Sequence, residues 1–358
     1  MNILQMISKN DRYGAQRIFL DQVAVLQAMG NQVVVAGRGS EGYVTDSVRA
    51  LGVPYHGCAM KGIKDILFLR NIIKQYNINV IHTTLDRADY LGILLSKITG
   101  IPVVSTNMVP RYHFGFRFVD KVIVLAEKQR PLLEKGGVNP RKITLVRPGI
   151  DVGRFAAPDP EKQESWKHKL NINAYNIVLC HVSSLIERKA HLVSLDIAAG
   201  CKQRGERPLL IIIGDPVSGE YYESLVRKIT SLGLTDNVNF TGWTSEVPEI
   251  LSLSHFTVLP SENEALGVVL MEGMAAGTPI IAREAEGGAE LINEYGTGFL
   301  YRPGEGVEPL VDQVIALRRD EGRYEALSQR CRKIAADDFS MKRFGERLIE
   351  VYNDILHE

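Results

Sequence analysis

Two glutamates eight positions apart, Glu264 and Glu272, bracket a stretch in which a loop gives way to a helix. The stretch covers residues 260–279 and reads as strand end, loop, helix, tight turn and next strand. Gly267 falls where the loop enters the helix, flanked by Ala265, Leu266 and Val268. A helix N-terminus offers N–H groups without intrahelical acceptors at the positive end of the dipole, which suits a phosphate or diphosphate. A glycine there lets the backbone approach closely. Glu272 sits among Val268, Val269, Met271, Met274 and Ala275. A carboxylate in so apolar a helix must find donors, and ribose hydroxyls are suitable ones. Glu264, on the loop, would lie nearer the phosphates and a sugar. Two structural alternatives stay open: Ser261-Glu262-Asn263-Glu264 also fits a capping box, and Glu272 also fits the solvent side of an amphipathic helix.

Other stretches carry charge where chemistry could use it. In Val182-Ser183-Ser184-Leu185-Ile186-Glu187-Arg188-Lys189-Ala190, the pair Arg188 and Lys189 lies on a strand-to-helix loop. A lysine so placed is a point charge for a leaving diphosphate, or else a solvated surface residue. Arg111-Tyr112-His113-Phe114-Gly115-Phe116-Arg117-Phe118 mixes cations and rings. It fits an acceptor cleft, a membrane interface or a packed loop. His113, and His82 at a strand end, are candidate acceptor-side groups with structural roles equally open. No metal is expected: Asp86-Arg87-Ala88-Asp89 lacks Asp-x-Asp spacing, and Cys58, Cys180, Cys201 and Cys331 are too scattered for zinc or disulfides. Reduced thiols place the chain in the cytoplasm.

The elements that must position these groups alternate between short apolar runs and amphipathic stretches. Strands are expected at 2–7, 32–36, 80–82, 102–105, 121–125 and 143–146, and helices at 15–29, 66–76 and 87–99. Turn chemistry at 147–160 interrupts the pattern. It restarts with strands at 176–183, 209–213, 238–240, 256–260 and 279–282, and ends in an amphipathic helix at 341–356. Such alternation implies doubly wound parallel sheets. A length of 358 residues fits two domains, with a ligand cleft at the carboxyl ends of the strands. With 45% hydrophobic and 23% charged residues the chain is globular rather than disordered. No apolar run approaches a membrane span, and the N-terminus does not read as a signal peptide. Residues 1–155 hold nine Lys and twelve Arg against eight Asp and three Glu, about +10, leaving about −10 in the remainder. Either the basic half meets something anionic or the two halves pair their charges. After the first strand, Asn10-Asp11-Arg12-Tyr13-Gly14-Ala15 holds one glycine, which argues against a Gly-x-Gly-x-x-Gly dinucleotide enzyme. A Gly-Lys-Ser/Thr phosphate loop is also missing.

Residues 260–279 resemble the Glu-x7-Glu motif of retaining GT-B glycosyltransferases of family 4, whose usual form is Pro-Ser-x-x-Glu-Gly-x-Gly-x-x-x-x-Glu-Ala-Met-Ala-x-Gly-x-Pro. Ala265 and Gly273 replace the usual Gly and Ala. The resemblance implies that Glu264 contacts the donor sugar, Glu272 holds the ribose, and Lys189 neutralises the diphosphate. Ser184 stands where the family has an arginine, with Arg188 as a nearby cation. Gly287-Gly288-Ala289-Glu290 and Gly296-Thr297-Gly298-Phe299 are similar to the family's closing turns. Gly214 with Asp215, and Gly242 with Trp243, match strand ends that hold the base. On the acceptor side, Gly14 and Ala15 resemble a Gly-Gly loop with Arg17 following. Where many members carry a histidine after the strand at 102–105, this chain has Thr106-Asn107-Met108-Val109-Pro110, and the nearest histidine is His113.

The family implies a GT-B fold of two Rossmann-like doubly wound parallel-sheet domains facing across a cleft. The acceptor domain would be 1–157 plus about 341–358, the donor domain 158–340, with the closing helix crossing back to the first. It implies transfer of a sugar from a UDP- or GDP-linked donor, with anomeric retention and no required cofactor, to a glycan or glycolipid hydroxyl in surface polysaccharide or lipopolysaccharide synthesis. An anionic membrane surface is a further expected partner, and nucleic acid is not. Rival readings are a sugar-nucleotide 2-epimerase of the same architecture and a non-catalytic sugar-nucleotide-binding protein.

Overall fold

The structure, a computed structural model, describes residues 1–357 and divides into two units. One comprises Met1–Gly149 and the closing segment from Met341; the other is Ile150–Ser340.

The first unit is built on seven strands: β1 (Asn2–Ile7), β2 (Gln32–Arg38), β3 (Tyr55–Cys58), β4 (Val80–Thr84), β5 (Val103–Asn107), β6 (Lys121–Val124) and β7 (Ile143–Leu145). They pair in parallel in the order β3-β2-β1-β4-β5-β6-β7. The second unit repeats the plan with β8 (Ile177–Val182), β9 (Pro208–Ile213), β10 (Val238–Gly242), β11 (Phe256–Leu259), β12 (Ile280–Arg283) and β13 (Gly298–Tyr301). Their order is β10-β9-β8-β11-β12-β13, again all parallel. Helices cover both faces of such sheets, so central strands read as unbroken apolar runs. Every residue of β9, Pro-Leu-Leu-Ile-Ile-Ile, is buried. Winding reverses between β1 and β4 and between β8 and β11. At such switch points open sheets bind ligands, outside the carboxyl ends of the strands.

Two edge strands, β3 and β13, fall where the sequence pattern shows none. Each has four residues, includes a glycine and lacks a fully buried position, so no alternation marks it. The helices Pro160–Lys169 and Glu321–Asp338 likewise bury few residues and carry weak periodicity.

Residues after Gly149 group with the second unit. Ile150 bridges to Ser340, and the helix Val152–Ala156 packs on the helices Val247–Ser252 and Val268–Ala276. The helix Met341–His357 belongs to the first unit and lies against the helix Gly14–Ala28. Leu348, Val351, Tyr352 and Ile355 form its buried stripe, at helical spacing. Gly345 has no side chain because a Cβ there would overlap Met29 and Val25.

This docking settles His82. The ring is fully buried, with Nδ1 2.6 Å from the Tyr352 hydroxyl and Nε2 2.7 Å from Thr106 Oγ1. Gln5 Nε2 lies 3.3 Å from the same Nδ1. Burial lowers the imidazole to about 3. His82 is a neutral clasp between the central sheet and the last helix.

Candidate active site

The loop after β11 and the helix Val268–Ala276 carry the site of the second unit. Gly267 is the N-cap residue, at φ +83°, and no side chain caps the helix. The left-handed backbone favours glycine. A Cβ there would also press within 2.8 Å of Leu259. The helix starts at Val268, too late for Ser261 to serve as its cap, so the capping-box alternative for Glu264 fails. First-turn N–H groups of a helix lack intrahelical acceptors, and here they open at the carboxyl edge of β11.

Glu264 is brought to the basic pair. Lys189 Nζ donates to its Oε2 at 2.5 Å, and Arg188 Nη1 lies 3.8 Å from the same oxygen. Lys189 and Glu264 are mostly buried, with side-chain exposures of 15% and 19%, whereas Arg188 is 48% exposed. One carboxylate thus faces two cations.

Glu272 is half-buried. In its helix Leu270, Met271, Gly273, Met274, Ala275 and Ala276 are buried, so the accessible stripe is Val268, Val269 and Glu272. That stripe runs from the helix N-terminus to the carboxylate one turn along. Gly273 lets the helix press on β11: a Cβ would overlap Thr257 Oγ1. Ala265 and Leu266 are buried and form the floor of the loop.

The other donor-side candidates meet at the adjoining strand ends. Gly214, at φ +145°, touches the Ser183 carbonyl so closely that a Cβ would overlap it. Gly214 N–H donates to Gly242 O at 3.1 Å, and Trp243 N–H to Asp215 Oδ1 at 2.9 Å. Trp243 and Ser184 are exposed. Gly214, Gly242, Trp243 and Ser184 therefore cluster at the carboxyl ends of β8, β9 and β10.

Several supporting residues were not legible in the sequence. Glu286 uses both carboxylate oxygens on the loop that carries Glu264, accepting from Asn263 N–H at 3.0 Å and Glu264 N–H at 2.9 Å. Gly287, next in sequence, admits no Cβ because it would overlap Ala265 O. Behind the Arg188–Lys189 turn, Ser183 Oγ lies 3.1 Å from Nε2 of both His181 and His191. The two rings stack at 4.1 Å. Burial, then His191 and Lys189, hold His181 well below its ordinary value; burial, then Lys189, lowers His191 to about 4. Both rings are neutral and brace the lysine turn. A polar His-x-Ser ending an apolar strand was the available signal.

In the first unit the acceptor-side candidates sit on separate elements. Gly14 opens the helix Gly14–Ala28 and is exposed, with Ala15 half-buried behind it. Arg17 pairs with Asp21 at 3.1 Å. Asn107 ends β5, buried, and its Nδ2 has no partner among the described residues. His113 is anchored elsewhere: Nε2 lies 2.9 Å from Asp89 Oδ2, and the ring packs on Phe116 at 3.7 Å. Asp89 also accepts from Thr83 and Ser105 hydroxyls at 2.5 and 2.6 Å. Asp86, Asp89 and His113 offer ligand atoms within 4.8 Å of one another. Arg111 already engages Asp86, so an ion would have to displace a cation.

Comparison with known proteins agrees with this geometry. The model "Glycosyl transferases group 1" matches residues 162–334, and "Glycosyltransferase Family 4" matches 13–154. The Escherichia coli enzyme UDP-Gal:alpha-D-GlcNAc-diphosphoundecaprenol alpha-1,3-galactosyltransferase is 23% identical, over 96% of this chain and 94% of its own. D-inositol 3-phosphate glycosyltransferase of Salinispora arenicola is 29% identical over 77% of this chain and 68% of its own. Among solved structures, Anabaena Alr3699/HepE in complex with UDP superposes with a TM-score of 0.88 at 19% identity, covering 99% of this chain and all of that one. The paired parallel sheets, the basic turn facing a glutamate and the two family matches converge: the chain belongs to the group 1, family 4 glycosyltransferases of GT-B fold.

Proposed function

We propose that the protein moves a sugar, with retention at the anomeric carbon, from a UDP- or GDP-linked donor to a hydroxyl of a glycan or lipid-linked acceptor in bacterial surface polysaccharide or lipopolysaccharide synthesis. The second unit takes the donor and the first unit the acceptor. The observation that carries the reading is the convergence of Lys189 and Arg188 on Glu264 beside the uncapped Gly267 helix end. In the transfer, the bond from the anomeric carbon to the diphosphate oxygen breaks and a bond to the acceptor oxygen forms on the same face. The acceptor proton passes to the leaving diphosphate oxygen, so no protein base is required. Lys189, Arg188 and the helix end stabilise the developing charge. Glu264 orients the sugar and Glu272 the ribose. Ala265, Leu266, Val268, Gly214, Gly242, Trp243 and Ser184 shape the donor pocket, while Gly14, Ala15, Arg17, Asn107 and His113 are the acceptor-side candidates. The relative named for UDP-galactose and the neighbour solved with UDP make uridine donors the first to test.

The test is release of nucleoside diphosphate from UDP- and GDP-sugars with and without lipid-linked oligosaccharide acceptors. The reading expects release only when an acceptor is present. Conversion of the donor without acceptor would instead favour an epimerase, and donor binding without turnover a non-catalytic binding protein. We place the protein at the cytoplasmic side of the membrane, with its basic first half toward an anionic surface.

A further inference from the structure

In the first unit, the helices Ile63–Gln75 and Asp86–Thr99 and the short turn Phe114–Arg117 lie side by side. The helix Asp86–Thr99 buries Ala88, Leu91, Ile93 and Leu95 against the sheet, yet its opposite face is also apolar. Tyr90 is 50% exposed, Leu94 40% and Ile98 48%, at spacings of four residues that keep them in one stripe. Ile63, Leu67 and Phe68 continue it on one side, and Phe114 and Phe118 on the other. Among the described residues, nine of the eighteen exposed large hydrophobics fall between Ile63 and Phe118, most of them on these side-by-side elements, a concentration that marks an interaction surface. The same helix exposes Arg87 and Lys97 as well, so the outward side is an apolar stripe edged by cations.

Charge identifies the cover. Residues 61–118 hold eight Lys and Arg against three Asp. Of those three, Asp89 is buried and Asp86 is paired with Arg111. The cations flank the rings: Lys97 Nζ lies 5.3 Å from the Phe118 ring and the Arg117 guanidinium 5.4 Å from that of Phe114. Rings at an acyl boundary with long cationic stems reaching back to headgroups is the arrangement of an interfacial surface.

We infer that this face seats on the anionic surface of a phospholipid bilayer, with Tyr90, Leu94, Ile98 and Phe114 at the acyl boundary and Lys97 and Arg117 among the phosphates. The inference deepens the membrane-side reading of the first unit, and it stands apart from the donor chemistry.

Flotation of the full chain with phosphatidylcholine vesicles, with and without phosphatidylglycerol, tests it. Binding is expected only to the anionic vesicles and is released by salt. Leu94→Asp lowers partitioning about ten-fold or more, since a buried leucine is lost to the lipid. Lys97→Gln and Arg117→Gln each lower it roughly five-fold. Val226→Asp, in the second unit, leaves it unchanged. Failure of the wild-type protein to float with anionic vesicles, or Leu94→Asp floating as well as wild type, overturns the inference. A dimer in sedimentation that Leu94→Asp dissociates, without vesicle binding, also overturns it and assigns the face to a second copy. Thermal stabilisation by UDP is measured in parallel. Its retention in Leu94→Asp shows the variant is folded, and its absence in wild type counts against the donor reading alone.

Discussion

Opposite effects on nucleotide affinity are expected from two substitutions at one ion pair. Lys189→Met removes a cation and Glu264→Gln removes the anion that opposes it, the two being 2.5 Å apart. A unit charge ~4 Å from a phosphate oxygen is worth about 4 kcal/mol at an effective dielectric of about 20. Glu264 offsets part of this, and both side chains retain some solvent contact, which reduces the net to about 1–2 kcal/mol. Lys189→Met should therefore weaken UDP or GDP binding roughly ten-fold. Glu264→Gln should leave it unchanged or tighten it, because a like charge beside the diphosphate is gone and Lys189 is released to meet it. Both should slow turnover by roughly 10²–10³, the scale for losing one preorganised charge contact. Calorimetric titration of UDP and GDP gives the affinities, and acceptor-dependent diphosphate release gives the rates. If Glu264→Gln weakened nucleotide binding as much as Lys189→Met, the carboxylate would be touching the nucleotide and its assignment to the sugar would be wrong.

Glu286→Ala should lower turnover while barely changing UDP affinity. It frees the Asn263 and Glu264 N–H groups that its carboxylate holds; a change in affinity matching the change in rate would contradict a positioning role. Ala190 occupies the left-handed region at φ +55°, so Ala190→Gly should stabilise the second unit by about 1 kcal/mol, measured as a shift of the denaturant midpoint; a lower midpoint would refute the strain. Stability should also fall with acid. Burial lowers His82 to about 3 and His191 and His255 to about 4, each below its ordinary value. Between the unfolded value of about 6.5 and those folded values the unfolded chain binds the extra proton, so stability is full above ~6.5 and drops by about 1.4 kcal/mol per pH unit per histidine below it. Equal urea midpoints at neutral and mildly acidic pH would contradict this.

Much of this was legible before the fold was seen. Parallel strands covered on both faces leave apolar runs, so β1, β2 and β9 stand out, and Gly267 marks the helix entry because the loop chemistry changes there. Glu264 and Glu272 stood out because charge in an apolar helix or beside its entry has to be explained, whereas Lys189 stood out only through the resemblance of its segment to the family's. What escaped depends on contacts distant in sequence. Glu286 looks like any surface acid until its loop folds back on residue 264, and His82 is a strand-end histidine until Tyr352 arrives from the last helix. The edge strand β3 has too little burial to imprint a pattern. Leu94 and Ile98 look like core residues, since sequence spacing cannot say which face of a doubly apolar helix meets the sheet.

A nucleotide on this helix would run along the half-buried stripe from the Gly267 helix end to the carboxylate of Glu272. Titrating UDP, UDP-glucose, UDP-galactose and GDP-mannose into wild-type protein and Glu272→Leu tests that placement most directly. At least one of these ligands should bind wild type, with affinity reduced ten-fold or more in the variant because two ribose hydroxyls lose a charged acceptor. Undiminished binding by Glu272→Leu, with its thermal stability intact, would remove the nucleotide from this helix.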